Sequence, residues 1–347
     1  MAIKSSGPLA LENDIIDEFT HIDSFAPHNL TEYYGNKITQ SLNDNMSVTY
    51  KPYNQIPFGS QNEALSFSDY YGVELEYTFL MNYDAQEVNI YNQAMNFGYN
   101  GVSDINIILS NDRFAWSNDV LTPAMTIDNF SGQNVGLIIG GVIMGKGGNG
   151  GRGRNDFNPT INTGENGGGA LLIDCDSNIQ ITLLGSGRIC GGGGGGGGMG
   201  MELGGSEARI GGGGGGAGGG TGGSVYGNDN FNLAGGAGGG LRAAGGDGGA
   251  YRAAVATGGN SFGNGGNWFN RKGTDAASAG GGGGRVRPSI ILGTPGRAAH
   301  GGRGGDFGQP GQNGNYGNGG AGGYAIRTAS GTYSIVEGPT RIYGPQI

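Results

Sequence analysis

The sequence offers little of what usually declares a function. In 347 residues it has two cysteines, three histidines, 11 prolines and only 14% charged residues. Cys175 and Cys190 are too few for a disulfide framework. They are expected to be free, half-buried thiols, with a single bridge as the alternative. His21, His28 and His300 lack the spacing of a metal site. No apolar stretch approaches the ~18 residues a membrane helix needs. The net charge is −9, so the basic surface of a nucleic-acid binder is missing. Arg152 and Arg154 in "GRGRN", with Arg285 and Arg287 in "RVRP", are too sparse to reverse that. The first residues, "MAIKSSGPLALENDIIDEF", meet acids early and lack a signal peptide's apolar core, so folding in the cytoplasm where the chain is made is expected.

Catalytic motifs are missing too. Matches to G-x-G-x-x-G abound, but glycine abundance produces them by chance. None is followed by the helix and acid that dinucleotide binding requires. Lys146 in "MGKGG" and Lys272 in "RKGT" do not sit in a phosphate loop. Serine, histidine and acid show no triad-like grouping. The reading is of a protein that is not an enzyme and has no cofactor, nucleic-acid partner or membrane insertion.

What is present in excess is glycine. The chain has 82, of which 75 lie in residues 136–347, roughly a third of that stretch against an average of roughly 7%. Residues 1–135 have an ordinary composition. They contain a short repeat, "LTEYYG" at 30–35 and "FSDYYG" at 67–72. A hydroxyl residue followed by an acid suits a helix start, and glycine suits its end. "ALENDIIDEF" at 10–19 places Leu11, Ile15 and Phe19 on one helical stripe. Such short pieces bury little alone and suit clipping onto a partner or a symmetry mate; a small independent helical domain is the alternative. Tyr33, Tyr34, Tyr70 and Tyr71 are the candidate attachment residues.

Residues 73–139 read as strands. "VELEYTFLMNY" alternates Val73, Leu75, Tyr77 and Phe79 with Glu74, Glu76 and Thr78. "VSDINIILS", "TPAMTIDNF" and "QNVGLIIGG" follow, so a β-sandwich or a stack of short β-rungs is expected. Apolar strands also lead into the glycine runs, as in "GLIIGGVIMGKGGNGG" and "RICGGGGGGGG". Residues 170–190 read as a β-hairpin turning at Asp176–Asn178.

The glycine runs have three possible fates. Collagen needs glycine strictly at every third position and abundant proline, and this chain has neither. A flexible linker would join two units once, whereas these runs alternate repeatedly with short apolar pieces. The third fate is a bundle of glycine helices of the polyproline-II type. These have three residues per turn and no internal hydrogen bonds, so neighbours must pair with one another. Gly191–Gly198 would then be a rod about 25 Å long. Ordering it costs ~1–2 kcal/mol per residue, offset by interchain bonds of ~0.5–1.5 kcal/mol each.

The expected fold class is therefore mostly β and irregular, with little α-helix. A short helical N-terminal attachment region (1–72) precedes a β-domain (73–139) and a polyglycine-II domain with β-hairpins (140–347). The connectors between glycine runs carry most of the large side chains. Tyr226, Phe231, Tyr251, Phe262, Trp268, Phe269, Phe307 and Tyr316 sit among Asn, Gly, Ser and Asp. That composition suits binding loops. Trp268–Phe269 with Arg271 and Lys272 is the best single patch. The alternative is that these aromatics cap the ends of the glycine rods.

"GGGALLIDCDSNIQITLLGSGRICGGGGGGGG", "GLIIGGVIMGKGGNGG" and the closing "GGAGGYAIRTASGTYSIVEGPTRIYGPQI" resemble the glycine-rich tail-fibre proteins of bacteriophages. The nearest functional likeness is the tip adhesin of T-even-type long tail fibres, in which a polyglycine sandwich displays loops to the bacterial surface. The resemblance implies a virion component with other virion proteins and a bacterial receptor, protein or glycan, as partners. It also implies a homo-oligomer acting by multivalent contact. A purely structural virion part and an ice-binding slab are the rivals.

Overall fold

The computed structural model describes residues 39–51, 74–154, 163–198, 210–211, 213, 215–223, 225–226, 232–233, 285–286, 299–300, 302, 304–314 and 317–347. Thr39–Ser41 (β1) pairs antiparallel with Met46–Lys51 (β2), which pairs antiparallel with Glu74–Met81 (β3). From β3 onward the chain winds as a coil of parallel rungs. Rung one is β3, Ala85–Gln86 (β4), Val88–Asn89 (β5) and the helix Ile90–Asn96 (α1). Rung two is Asp104–Leu109 (β6), Phe114–Trp116 (β7) and Met125–Asp128 (β8). Rung three is Asn134–Ile139 (β9) and Val142–Met144 (β10).

The chain then leaves the coil through Gly153–Arg154 (β11) and returns as rung four, Leu171–Leu183 (β12) and Arg188–Cys190 (β13). It leaves again through Ile210–Gly211 (β14), Val225–Tyr226 (β15), Asn232–Leu233 (β16), Arg285–Val286 (β17) and Ala299–His300 (β18). Rung five is Ile326–Glu337 (β19), a 3-10 turn at Pro339–Arg341, and Ile342–Tyr343 (β20). Within the coil, β3, β6, β9, β12 and β19 stack in order, as do β4, β7, β10, β13 and β20, all in parallel.

The rungs form because apolar residues alternate and fall in register. Phe79, Ile107, Leu137, Ile181 and Ile335 make one column through the five rungs. The first four are fully buried. Burying each such side chain is worth about 1.5–3 kcal/mol. Leu75, Tyr77 and Phe79 are buried as the alternation of β3 predicts. Of the two β arrangements expected, the stack of rungs is the one formed. α1 has no counterpart in the sequence reading. Its start is capped by Asn89, whose side chain accepts from the Asn92 amide at 3.0 Å.

The expected hairpin at 170–190 is not there. β12 is a single 13-residue strand running straight through Asp176–Asn178. Asp174, Asp176, Asn178 and Gln180 face out while Cys175, Ser177 and Ile179 face in, so the alternation never breaks. The polar "DSN" marks a change of partner: β12 pairs with β8 over 171–174 and with β9 over 178–183. In rung two to three the same corner is a bend, residues 129–133. Gln133 of that bend donates to the Gly101 carbonyl at 3.0 Å and accepts from Ser177 Oγ at 3.3 Å, tying three levels of the corner together.

The glycine segments are ordered rods that continue the rungs. They are run 1 (145–152), run 2 (163–169), run 3 (191–198), run 4 (213 and 215–217), run 5 (218–223), run 6 (302 and 304–308), run 7 (309–314) and run 8 (317–324). Run 3 is the centre. Its Gly192 and Gly195 amides donate to Gly168 and Glu165 of run 2, and its Gly194 and Gly197 amides to Gln309 and Gln312 of run 7. Its carbonyls at 193 and 196 accept from run 1, those at 191, 194 and 197 from run 6, and those at 192 and 195 from run 8. Gly193 also donates to Ala217 of run 4. Each partner recurs every third residue, the period of a three-fold extended helix. Around run 3 the order 1–2–8–7–6–4–1 closes on itself through further bonds, including Glu165 to Asn149, Gly167 to Ala321, Gly311 to Gly320 and Ala217 to Gly305.

The rungs set the directions of the rods. Run 1 leaves β10 and run 3 leaves β13, so these runs are parallel because the strands are. Run 2 leads into β12 and run 8 into β19, with the same result. The ladder crosses the junction without a gap: Gly145 donates to Cys190, Ala170 to Tyr324 and Leu171 to Ala325, at 2.9, 3.0 and 3.0 Å. The boundary expected at 139/140 thus falls inside rung three. The glycine runs are two excursions from one coil.

Candidate functional site

This topology gives the bundle two unlike ends. At the near end the runs meet the rungs. The turn between runs 4 and 5 and the turn between runs 6 and 7 lie there, and Ala217 and Phe307 from those turns pack with Phe114, Val142, Met144 and Cys190. At the other, far end run 1 continues into β11, and short strand pairs are formed there and elsewhere among the described residues that follow the runs in the chain. β11 pairs in parallel with β15, β14 in parallel with β16, and β17 antiparallel with β18.

The two ends sort the candidate contact residues. Phe307 is only 3% exposed and closes the near-end core, so it is not a receptor-contact residue. The physical reason is sidedness: its connector turns against the rungs, where an apolar ring fills the space between rod ends and sheet. For this residue the capping alternative is the correct one. Tyr226 lies in β15 at the far end, level with Arg154 of β11. Phe231, Tyr251, Phe262, Trp268, Phe269, Arg271 and Tyr316 lie outside the described residues. So do Tyr33, Tyr34, Tyr70 and Tyr71.

The structure adds a polar edge that the sequence reading missed. Asn149 Nδ2 of run 1 donates to Glu165 Oε2 of run 2 at 2.7 Å, and its Oδ1 accepts from the Thr221 hydroxyl of run 5 at 2.7 Å. Asn166 Oδ1 accepts from the Ala321 amide and Asn313 Oδ1 from the Gly319 amide, each at 2.8 Å. Lys146 Nζ donates to the Gly219 carbonyl at 2.7 Å. These side chains stitch outer runs laterally where glycine alone would leave backbone groups to water. The signal was present as spacing. Lys146, Asn149 and Arg152 recur every third residue in run 1, as do Asn318, Ala321 and Tyr324 in run 8. In runs 1 and 8 one face of the three-fold rod is turned outward, and the larger residues recur on that face.

Chemistry is sparse around this scaffold. Cys175 and Cys190 are both free and buried. Burial raises the Cys175 thiol and drives that of Cys190 far above the ordinary thiol range. Among the described residues no group of three or more His, Cys, Asp or Glu is placed to hold a metal ion, and no helix is long and apolar enough to cross a membrane.

Among the described residues, the glycine rods continue the strands of the β-coil, and the turns at their near end are packed against it. The family model for the phage tail fibre adhesin Gp38 matches residues 76–234, from rung one to β16. The chain is similar to phage tail fibre adhesins over that stretch. Among solved structures it is similar to the gp37–gp38 adhesin tip complex of the bacteriophage S16 long tail fiber. The identity is 21%, the likeness covers 83% of this chain and 88% of that one, and the TM-score is 0.46. No curated protein matches.

Proposed function

We propose that this protein is a virion tail-fibre adhesin. Its N-terminal part attaches to other virion proteins, and its far-end connections recognise a bacterial surface receptor, protein or glycan. It is assembled in the host cytoplasm and acts in several copies, so that weak contacts are multiplied. It performs binding, with no catalytic step. The observation that carries this reading is the two-ended bundle. Near-end turns are consumed by packing, with Phe307 in the core, and β15, which carries Tyr226, pairs with β11 at the other end.

The candidate contact residues are Tyr226, Phe231, Tyr251, Phe262, Trp268, Phe269, Arg271 and Tyr316, and the candidate attachment residues are Tyr33, Tyr34, Tyr70 and Tyr71. Exchanging residues 224–233 and 260–279 for those of a related phage with another host tests the reading. Transfer of host range supports it. Unchanged adsorption overturns it in favour of a purely structural virion part.

A further inference from the structure

Residues 326–347 grip the molecule at several levels. β19 lies parallel on β12, and β20 parallel on β13. Between them Arg341 donates from its guanidinium to the carbonyls of Leu183 and Gly185, holding the turn that links β12 to β13. Past β20, the Tyr343 carbonyl accepts from the amide of Gly191, the first residue of run 3, at 2.9 Å. Gly344 then meets the turn between runs 6 and 7. A Cβ on Gly308 would lie 2.2 Å from Gly344 Cα, so two bare backbones touch there. Gly344 has φ +127°, a conformation that other residues rarely adopt. Finally the chain folds back on β19: Thr328 donates to Ile347 at 2.7 Å, and Ile347 to Ile326 at 3.0 Å.

Chain order gives this grip a role. Runs 1, 2 and 4, on one side of run 3, come from residues 145–217. Runs 6, 7 and 8, on its other side, come from 302–324 and are followed at once by β19. Run 8 continues directly into β19, so the register of β19 on β12 fixes the position and direction of run 8. Run 7 is bonded to run 8, and run 6 turns directly into run 7. We propose that residues 326–347 are a clasp whose closure on β12 and β13 brings runs 6, 7 and 8 onto run 3, so that the glycine bundle is completed only after this segment has docked. The rungs formed before it, β3 to β13, do not need the clasp. The bundle is then a conditional unit: complete when the clasp is shut, half-surrounded when it is open.

The test is amide hydrogen exchange on the full-length protein, read by residue-resolved NMR with labelled glycine, isoleucine and leucine. Arg341→Ala removes two donors from the clasp, and Gly344→Val disturbs its contact with Gly308. Val336→Ser, at an exposed position of β19, is the control. In both clasp variants the Gly194 and Gly197 amides, bonded to run 7, should exchange roughly tenfold faster or more. Gly305 and Gly320, donors into run 3, should follow them. Ile107 and Leu137 in the coil should keep their wild-type rates, and the control should match wild type throughout. Unchanged exchange at Gly194 and Gly197 overturns the proposal. Equal acceleration at Ile107 and Leu137 overturns it as well, because that is the signature of general destabilisation.

Discussion

A Cβ on Gly194 would lie 2.0 Å from the carbonyl oxygen of Gly320, on the adjoining rod. Backbone, not a movable side chain, stands in the way. Gly195 is in the same position, with the Asn149 carbonyl oxygen 1.9 Å away. Gly194→Val or Gly195→Val is therefore expected to destabilise the protein by about 3 kcal/mol or more, beyond the usual overpacking cost, because rods cannot separate locally without losing lateral bonds. Soluble yield and thermal midpoint check this. Asn318→Ala, at an exposed position of run 8, should leave both unchanged. Tolerance of valine at 194 and 195 would mean that the run is slack chain.

Glycine content alone did not reveal which run is central, but the interruptions do. Run 3 has eight glycines and no break, while runs 1 and 8 carry a larger residue at every third position. Alternation made the rungs legible: Leu75, Tyr77, Phe79 and Met81 are all buried in β3. It failed at Asp176–Asn178, where turn-forming residues lie in a strand that changes partners. It also missed α1, whose seven residues include two buried ones and hence little periodic signal. The sidedness that separates Phe307 from Tyr226 depends on which rods run parallel. That follows from pairings between strands more than 100 residues apart, β12 with β19 and β13 with β20, and local pattern does not encode it.

Gln133 is 8% exposed and holds the corner of the coil through its bonds to Gly101 and Ser177. Gln133→Leu keeps the volume and removes the partners. It should cost about 1–3 kcal/mol, the penalty for leaving buried polar groups unpaired. The check is the denaturant midpoint at unchanged slope, which separates lost stability from a changed unfolded state. Leu184→Ser, at a partly exposed position beyond β12, should have little effect.

The buried thiols predict a fall in stability at alkaline pH. Burial raises the folded-state pKa of both Cys175 and Cys190 above the ordinary thiol range. The folded state therefore holds its thiol protons at pH values where the unfolded chain releases them. The stabilising contribution is full below the unfolded pKa of ~8.5 and declines as pH rises above it. The unfolding midpoint should drop between pH 8 and pH 10, and Cys190→Ala should flatten that drop while lowering stability at every pH. A slope identical in wild type and variant would assign the alkaline loss to other groups, such as the buried Tyr99, whose hydroxyl is also raised by burial.

Two aromatic substitutions should behave in opposite ways because they sit on opposite sides of the proposed division of labour. Phe307 fills the junction between rod ends and rungs beside Phe114, Met144 and Cys190. Phe307→Ala should cost about 3–5 kcal/mol, as for a large ring removed from a core. Where the variant stays folded, phage carrying it should keep their host range. Trp268→Ala with Phe269→Ala, in the long connection between β16 and β17, should leave the melting temperature within about 1 kcal/mol of wild type in stability terms. It should lower adsorption by tenfold or more if these rings are binding hot spots worth ~2 kcal/mol each. Thermal unfolding of purified protein and adsorption of phage carrying each variant provide the two readouts. Large loss of stability from Trp268 and Phe269, with adsorption following it in proportion, would turn them into capping residues like Phe307 and move the search for receptor contacts to Tyr226, Phe231 and Tyr316.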